Sequence, residues 1–120
     1  MIKVLLADDH ALLRGSLKQL LDDTGFVQVV AQAGEYSEIM KAMTSHTVDL
    51  AILDISMPGK NGVDIVKILK DKYPALKILM LSMHPEDQYA VRCLKAGASG
   101  YLTKNTAPEK LVSINGGKHA

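Results

Sequence analysis

Short apolar runs alternate with segments of helical spacing along the whole chain, and this alternation constrains the fold more than any other feature. The runs are Ile2 to Ala7, Val27 to Ala31, Leu50 to Leu53, Ile78 to Leu81 and Gly100 to Thr103. Between them, Ala11 to Asp22 carries Leu13, Leu17, Leu20 and Leu21, and Tyr36 to Ser45 puts Ile39, Met40 and Met43 on one stripe. Val63 to Lys72 repeats the stripe with Val63, Val66 and Leu69, and Pro85 to Ala96 supplies a further segment. Apolar residues three and four apart predict amphipathic helices, and short unbroken apolar runs predict strands. A last helix is expected from Thr106, with Pro108 in its first turn and Glu109 completing a capping box. Strands alternating with helices must pair in parallel, because parallel neighbours need a crossover connection. The strands are apolar throughout, as when helices cover both faces. The expectation is an α/β domain with a doubly wound, five-stranded parallel sheet.

Bulk properties bound the possible functions. A chain of 120 residues fits one domain, and buries roughly two thirds of its unfolded surface. The 14 basic and 13 acidic residues nearly balance, and no basic stripe with interleaved aromatics is present. Direct nucleic-acid binding by this domain is therefore not expected. A lone cysteine, Cys93, forms no internal disulfide and points to a cytoplasmic protein, where it is expected as a small buried residue. No apolar run approaches the roughly 20 residues of a membrane span. No zinc site is legible, since His10, His46, His84 and His119 are scattered and there is no cysteine pair.

In open α/β sheets, ligands bind beyond the carboxyl ends of the strands, where strand order reverses. The first run ends in Asp8-Asp9, the third in Asp54, the fourth in Ser82 and the fifth in Thr103-Lys104. In the common order 2-1-3-4-5, the first and third strands are neighbours. Three carboxylates would then converge, faced by a hydroxyl and an ammonium. Each group alone has an ordinary explanation: Asp9 or His10 can cap the first helix, and Asp54 can open a turn. Their joint placement favours a site.

Clustered carboxylates repel one another. A hard divalent cation such as Mg²⁺ relieves this, taking oxygen ligands and often phosphate oxygens. A carboxylate not fully committed to the metal can act as a nucleophile and form an aspartyl phosphate. Metal, ammonium and hydroxyl together would neutralise the charge of a phosphoryl transfer. The residues thus point to Asp54 as a phosphoryl acceptor.

The chain resembles the receiver domain of two-component response regulators. The resemblance rests on ADDH at 7–10, DISMPGKNG at 54–62, LS at 81–82 and AGASGYLTK at 96–104. The wording of the first and last pieces is most similar to the NarL/LuxR-type subgroup, whose members carry a C-terminal helix-turn-helix. It implies a flavodoxin-like (βα)5 fold with residues 1–115 as the receiver and 116–120 as the start of a linker or tail. The DNA-binding output domain is expected to lie outside these 120 residues. It also implies a role for each site residue. Asp54 is the phosphoacceptor, and Asp9, Asp54 and the main-chain carbonyl of Ser56 hold Mg²⁺. Asp8 acts through metal-bound water, Lys104 and Ser82 contact the phosphoryl group, and Tyr101 is the switch aromatic. A sensor histidine kinase is the implied donor, a homodimer on phosphorylation a further partner, and transcription regulation the output. Such a domain is a switch rather than an enzyme, beyond its own phosphorylation and dephosphorylation. Asn105 stands where many members carry proline, so the turn that sets Lys104 is expected to differ.

Rival readings fit less well. A haloacid dehalogenase-type phosphatase wants Asp-x-Asp after its first strand. A flavodoxin-like mononucleotide binder wants a Ser-, Thr- and Gly-rich first loop, and Asp8-Asp9 would repel its phosphate. A phosphorylation-independent interaction module is the stronger alternative, but it would be expected to have lost an acid or the lysine, and none is missing.

Overall fold

Leu13, Leu17 and Leu21 stand four residues apart, so they form one line along a helix. In the computed structural model, which describes residues 1–54, 61–82 and 88–103, that line is where the first helix meets the sheet. The strands are β1 (Ile2–Ala7), β2 (Val27–Ala33), β3 (Leu50–Asp54), β4 (Lys77–Ser82) and β5 (Gly100–Thr103). The helices between them are α1 (Ala11–Asp23), α2 (Tyr36–Ser45), α3 (Gly62–Lys72) and α4 (Gln88–Ala96). All neighbouring strands are parallel, in the order β2-β1-β3-β4-β5. The expected fold class is therefore the observed one. The helix expected from Thr106 lies outside the described residues.

Side chains alternate across the strands and feed two cores. Leu5, Ala7, Ala51, Leu53, Ile78 and Met80 pack with residues of α2, α3 and α4 on one face. Val4, Leu6, Leu50, Ile52 and Leu81 pack with Leu17 and Leu21 of α1 on the other. β3 is buried along its whole length, as its position between two strands and two helical layers requires. Cys93 is fully buried within the first core. Among the described residues, no helix is long and apolar enough to cross a membrane.

Two details depart from the sequence expectation. Leu20, counted with the apolar stripe of α1, is 39% exposed. It stands about 100° around the helix from Leu21 and so leaves the line that faces the sheet. β2 runs two residues further than its apolar run, to Ala33. There Val4 pairs with Val29 but Leu5 with Ala31, so Val30 is an extra residue in the ladder. A bulge of this kind re-aims the strand end. It brings Ala33 opposite Ala7, beside the site.

Local signals close the helices. The Asn61 side chain accepts the Asp64 N–H at 3.0 Å, and Lys70 and Lys72 lie in the last turn of α3. α1 is followed by Gly25 at φ 78, a left-handed conformation that favours glycine.

Candidate functional site

The site lies at the carboxyl ends of β1 and β3. Ala7 pairs with Leu53, so the following residues, Asp8 just past β1 and Asp54 at the end of β3, stand side by side. Asp8 is fully buried, Asp54 is 2% exposed, and Asp9 is open to solvent. One carboxylate oxygen from each of Asp8, Asp9 and Asp54, together with a ring nitrogen of His10, lie within 4.8 Å of one another. The acids expected to converge do so.

Local backbone geometry holds this cluster in place. The His10 N–H donates to Asp8 Oδ1 at 2.7 Å, folding the chain after β1 into a tight turn. The Asp8 N–H donates to the Ala33 carbonyl at 3.0 Å, tying the turn to the end of β2. His10 occupies the cap position of α1, but its side chain makes no capping hydrogen bond. The His10 ring instead faces the acids, with Nδ1 at 3.0 Å from Asp8 Oδ1 and 3.1 Å from Asp9 Oδ1. Asp54 Oδ2 is 3.8 Å from the same nitrogen. Which atom donates between Nδ1 and Asp8 Oδ1 is set by the tautomer of the ring.

Arg14, one turn into α1, braces the other side. Its Nη1 donates to the Asp8 carbonyl, and its Nε to Gln32 Oε1 at 3.1 Å. The guanidinium thus spans the ends of β1 and β2 and places a fixed positive charge near the buried acid. From the sequence, His10 is expected only as a candidate cap of α1, and Arg14 is not singled out. Their signal was present, since His10 adjoins Asp8-Asp9 and Arg14 lies four residues beyond His10, on the same helical face.

The remaining expected residues are placed as follows. Ser82 ends β4, where it pairs with Thr103, one step beyond the pairing of Asp54 with Leu81. Tyr101 is half-buried on β5, opposite Met80, and packs against the core shared by α2, α3 and α4. Ser56 and Lys104 lie outside the described residues, as does the Ser82 side chain.

The donor set is chemically specific. Three carboxylate oxygens crowded into one small volume repel unless a cation joins them, and hard oxygen donors suit a hard divalent ion. The residues present therefore fit Mg²⁺. The start of α1 lies beside the same cluster, so the helix dipole adds a modest preference for negative charge there.

Comparisons with known proteins agree with this geometry. The family model described as the response regulator receiver domain matches residues 4–115. Response regulator UvrY of Escherichia coli (strain K12) is 36% identical over 113 residues, 94% of this chain and 52% of that protein. Oxygen regulatory protein NreC of Staphylococcus epidermidis is 36% identical over 112 residues, 92% of this chain and 51% of that protein. The chain thus spans about half the length of these relatives. The receiver domain of the response regulator NarL from Mycobacterium tuberculosis superposes with a TM-score of 0.86 at 28% identity, covering 94% of this chain and 91% of that one. A LuxR-family two-component response regulator from Aurantimonas superposes at 0.84 with 31% identity, covering 92% of this chain and 79% of that one. With buried acids at the ends of adjacent strands, the expected strand order and these matches, the chain belongs to the response regulator receiver domain family, within its NarL/LuxR-type branch.

Proposed function

We propose that this domain is a phosphorylation-activated switch, with Asp54 accepting a phosphoryl group from the phosphohistidine of a sensor histidine kinase. The observation that carries the reading is the convergence of Asp8, Asp9 and Asp54 from two adjacent strands onto one small volume. An Asp54 oxygen forms the new bond to phosphorus as the donor's nitrogen–phosphorus bond breaks, the electron pair leaving with the imidazole. Asp9, Asp54 and the Ser56 carbonyl would hold Mg²⁺, with Asp8 acting through water, and the bound ion would supply charge neutralisation for the phosphoryl oxygens.

The chain's own residues do the rest. Burial of Asp54 shields its acyl phosphate from bulk water. Lys104 binds one phosphoryl oxygen and the Ser82 hydroxyl another. Tyr101 turns inward as Ser82 moves, and this biases the surface at α4 and β5. Moving such a switch from 1:99 to 99:1 takes about 5.5 kcal/mol of differential stabilisation. The receiver occupies residues 1–115, and its output is control of a C-terminal helix-turn-helix domain in a cytoplasmic transcription regulator, with dimerisation on phosphorylation. The support for this output is the likeness to a LuxR-family regulator and to response regulators of about twice this length.

Intact-mass measurement after incubation with acetyl phosphate tests the reading. One phosphoryl adduct is expected with Mg²⁺, and none with excess chelator or in Asp54→Asn. An adduct that forms equally without divalent metal would overturn it.

A further inference from the structure

Among the described residues, His10 supplies the nitrogen donor in the acidic cluster. Its Nδ1 lies 3.0, 3.1 and 3.8 Å from oxygens of Asp8, Asp9 and Asp54 respectively. The main chain holds it there from both sides. Its N–H donates to Asp8 Oδ1 at 2.7 Å, and its carbonyl accepts the Arg14 N–H at 3.0 Å. Adjacent ligands in an octahedral shell with bonds of about 2.0–2.1 Å stand about 3 Å apart. Nδ1 already has that spacing from Asp9 Oδ1, a direct ligand in the proposed shell. Coordination through Nδ1 therefore needs little movement of the ring.

Metal preference follows from donor type. Carboxylate oxygen serves Mg²⁺ and transition ions alike, whereas imidazole nitrogen suits the borderline transition ions and adds little for Mg²⁺. The ring is also 57% exposed, so it can swing into solvent when the ion does not recruit it. We infer that His10 Nδ1 is an additional ligand for divalent transition ions, so that this acidic site discriminates Co²⁺, Ni²⁺ and Zn²⁺ from Mg²⁺ through one nitrogen. The inference rests on the reading of the acid cluster as a divalent-cation site.

Calorimetric titration of the whole chain with Co²⁺ and with Mg²⁺ tests it, using wild type, His10→Ala, His10→Gln and Asp54→Asn. Both His10 variants should weaken Co²⁺ binding about tenfold or more, given that losing even an indirect metal partner costs that much. Mg²⁺ affinity should stay within about twofold in the same variants, because oxygen donors carry it. The visible absorption of bound Co²⁺ should shift in both His10 variants. Gln keeps the size and polarity of the side chain, so a shared loss isolates the nitrogen. Unchanged Co²⁺ affinity and spectrum would overturn the inference, and so would equal weakening of both metals. In those cases Mg²⁺ binding that is lost in Asp54→Asn leaves the acidic-site reading standing. A wild type that binds neither ion would overturn both together.

Discussion

Ala7 and Leu53 are partners in the parallel ladder that joins β1 to β3. The residue after each is an acid, so the sheet itself delivers Asp8 and Asp54 to the same level. Both are removed from solvent, which leaves their mutual repulsion poorly screened. The cluster is therefore a local cost to the fold that a cation relieves.

Neutralising one member should expose that cost. Asp54→Asn is expected to raise the unfolding free energy by about 1 kcal/mol in chelator, since it removes one of the apposed charges. Wild type should gain about 2.7 kcal/mol from Mg²⁺ at a hundredfold excess over its Kd, and the variant little of it. Urea unfolding with and without Mg²⁺ measures both. A variant less stable than wild type in chelator, or equally stabilised by Mg²⁺, would contradict the account.

The packing of α1 makes a second contrast. Leu17 is fully buried against β1 and β3, whereas Leu20 is partly exposed and Leu12 is 90% exposed. Leu17→Ala should cost about 2–5 kcal/mol. Leu12→Ala should change stability by less than about 0.5 kcal/mol, as an exposed position does. Denaturant midpoints of the two variants check this, and similar losses at both sites would mean that α1 packs on a different face.

Asp22 gives a pH dependence. Burial pushes its carboxyl up, but the Lys18 hydrogen bond, the Val29 N–H and the Lys18 charge together outweigh it and hold it below its ordinary value of 3.8. Lys18 Nζ is 2.7 Å away, and the Val29 N–H donates at 2.9 Å, so the acid also ties α1 to β2. A carboxyl with a lowered folded-state pKa stabilises fully above its unfolded value, and the contribution disappears as pH falls through the folded one. Asp22→Asn should therefore cost about 1 kcal/mol at neutral pH. That gap should close as the pH drops through the carboxylate range. Urea titrations of both proteins from neutral to acid pH check it, and a gap that widened in acid would contradict the assignment.

Much of this was legible in the sequence because the signals were local. The stripe of Ile39 and Met43 located α2 at Tyr36–Ser45, and the buried run of β3 needed only its four apolar residues. Asp8, Asp9 and Asp54 could be brought together because strand order follows from a small set of topologies. Leu20 was misjudged because helical spacing is read from the stripe's width, while the sheet meets only a narrow line of it. The extra length of β2 depends on the bulge at Val30, a pairing choice made by β1 and invisible in β2 alone. The turn of His10 toward the acids, in place of the capping bond expected of it, and the brace from Arg14 are set by contacts across the turn after β1, which helix-cap reasoning does not anticipate.

If Asp54 receives the phosphoryl group, the adduct must sit on its side chain, and locating it is the decisive test. The domain would be incubated with acetyl phosphate and Mg²⁺, the acyl phosphate trapped by borohydride reduction, and the peptides sequenced by mass spectrometry. Reduction is expected at Asp54 alone, dependent on Mg²⁺. Modification at Asp8 or Asp9 instead, or an adduct that persists in Asp54→Asn, would contradict it.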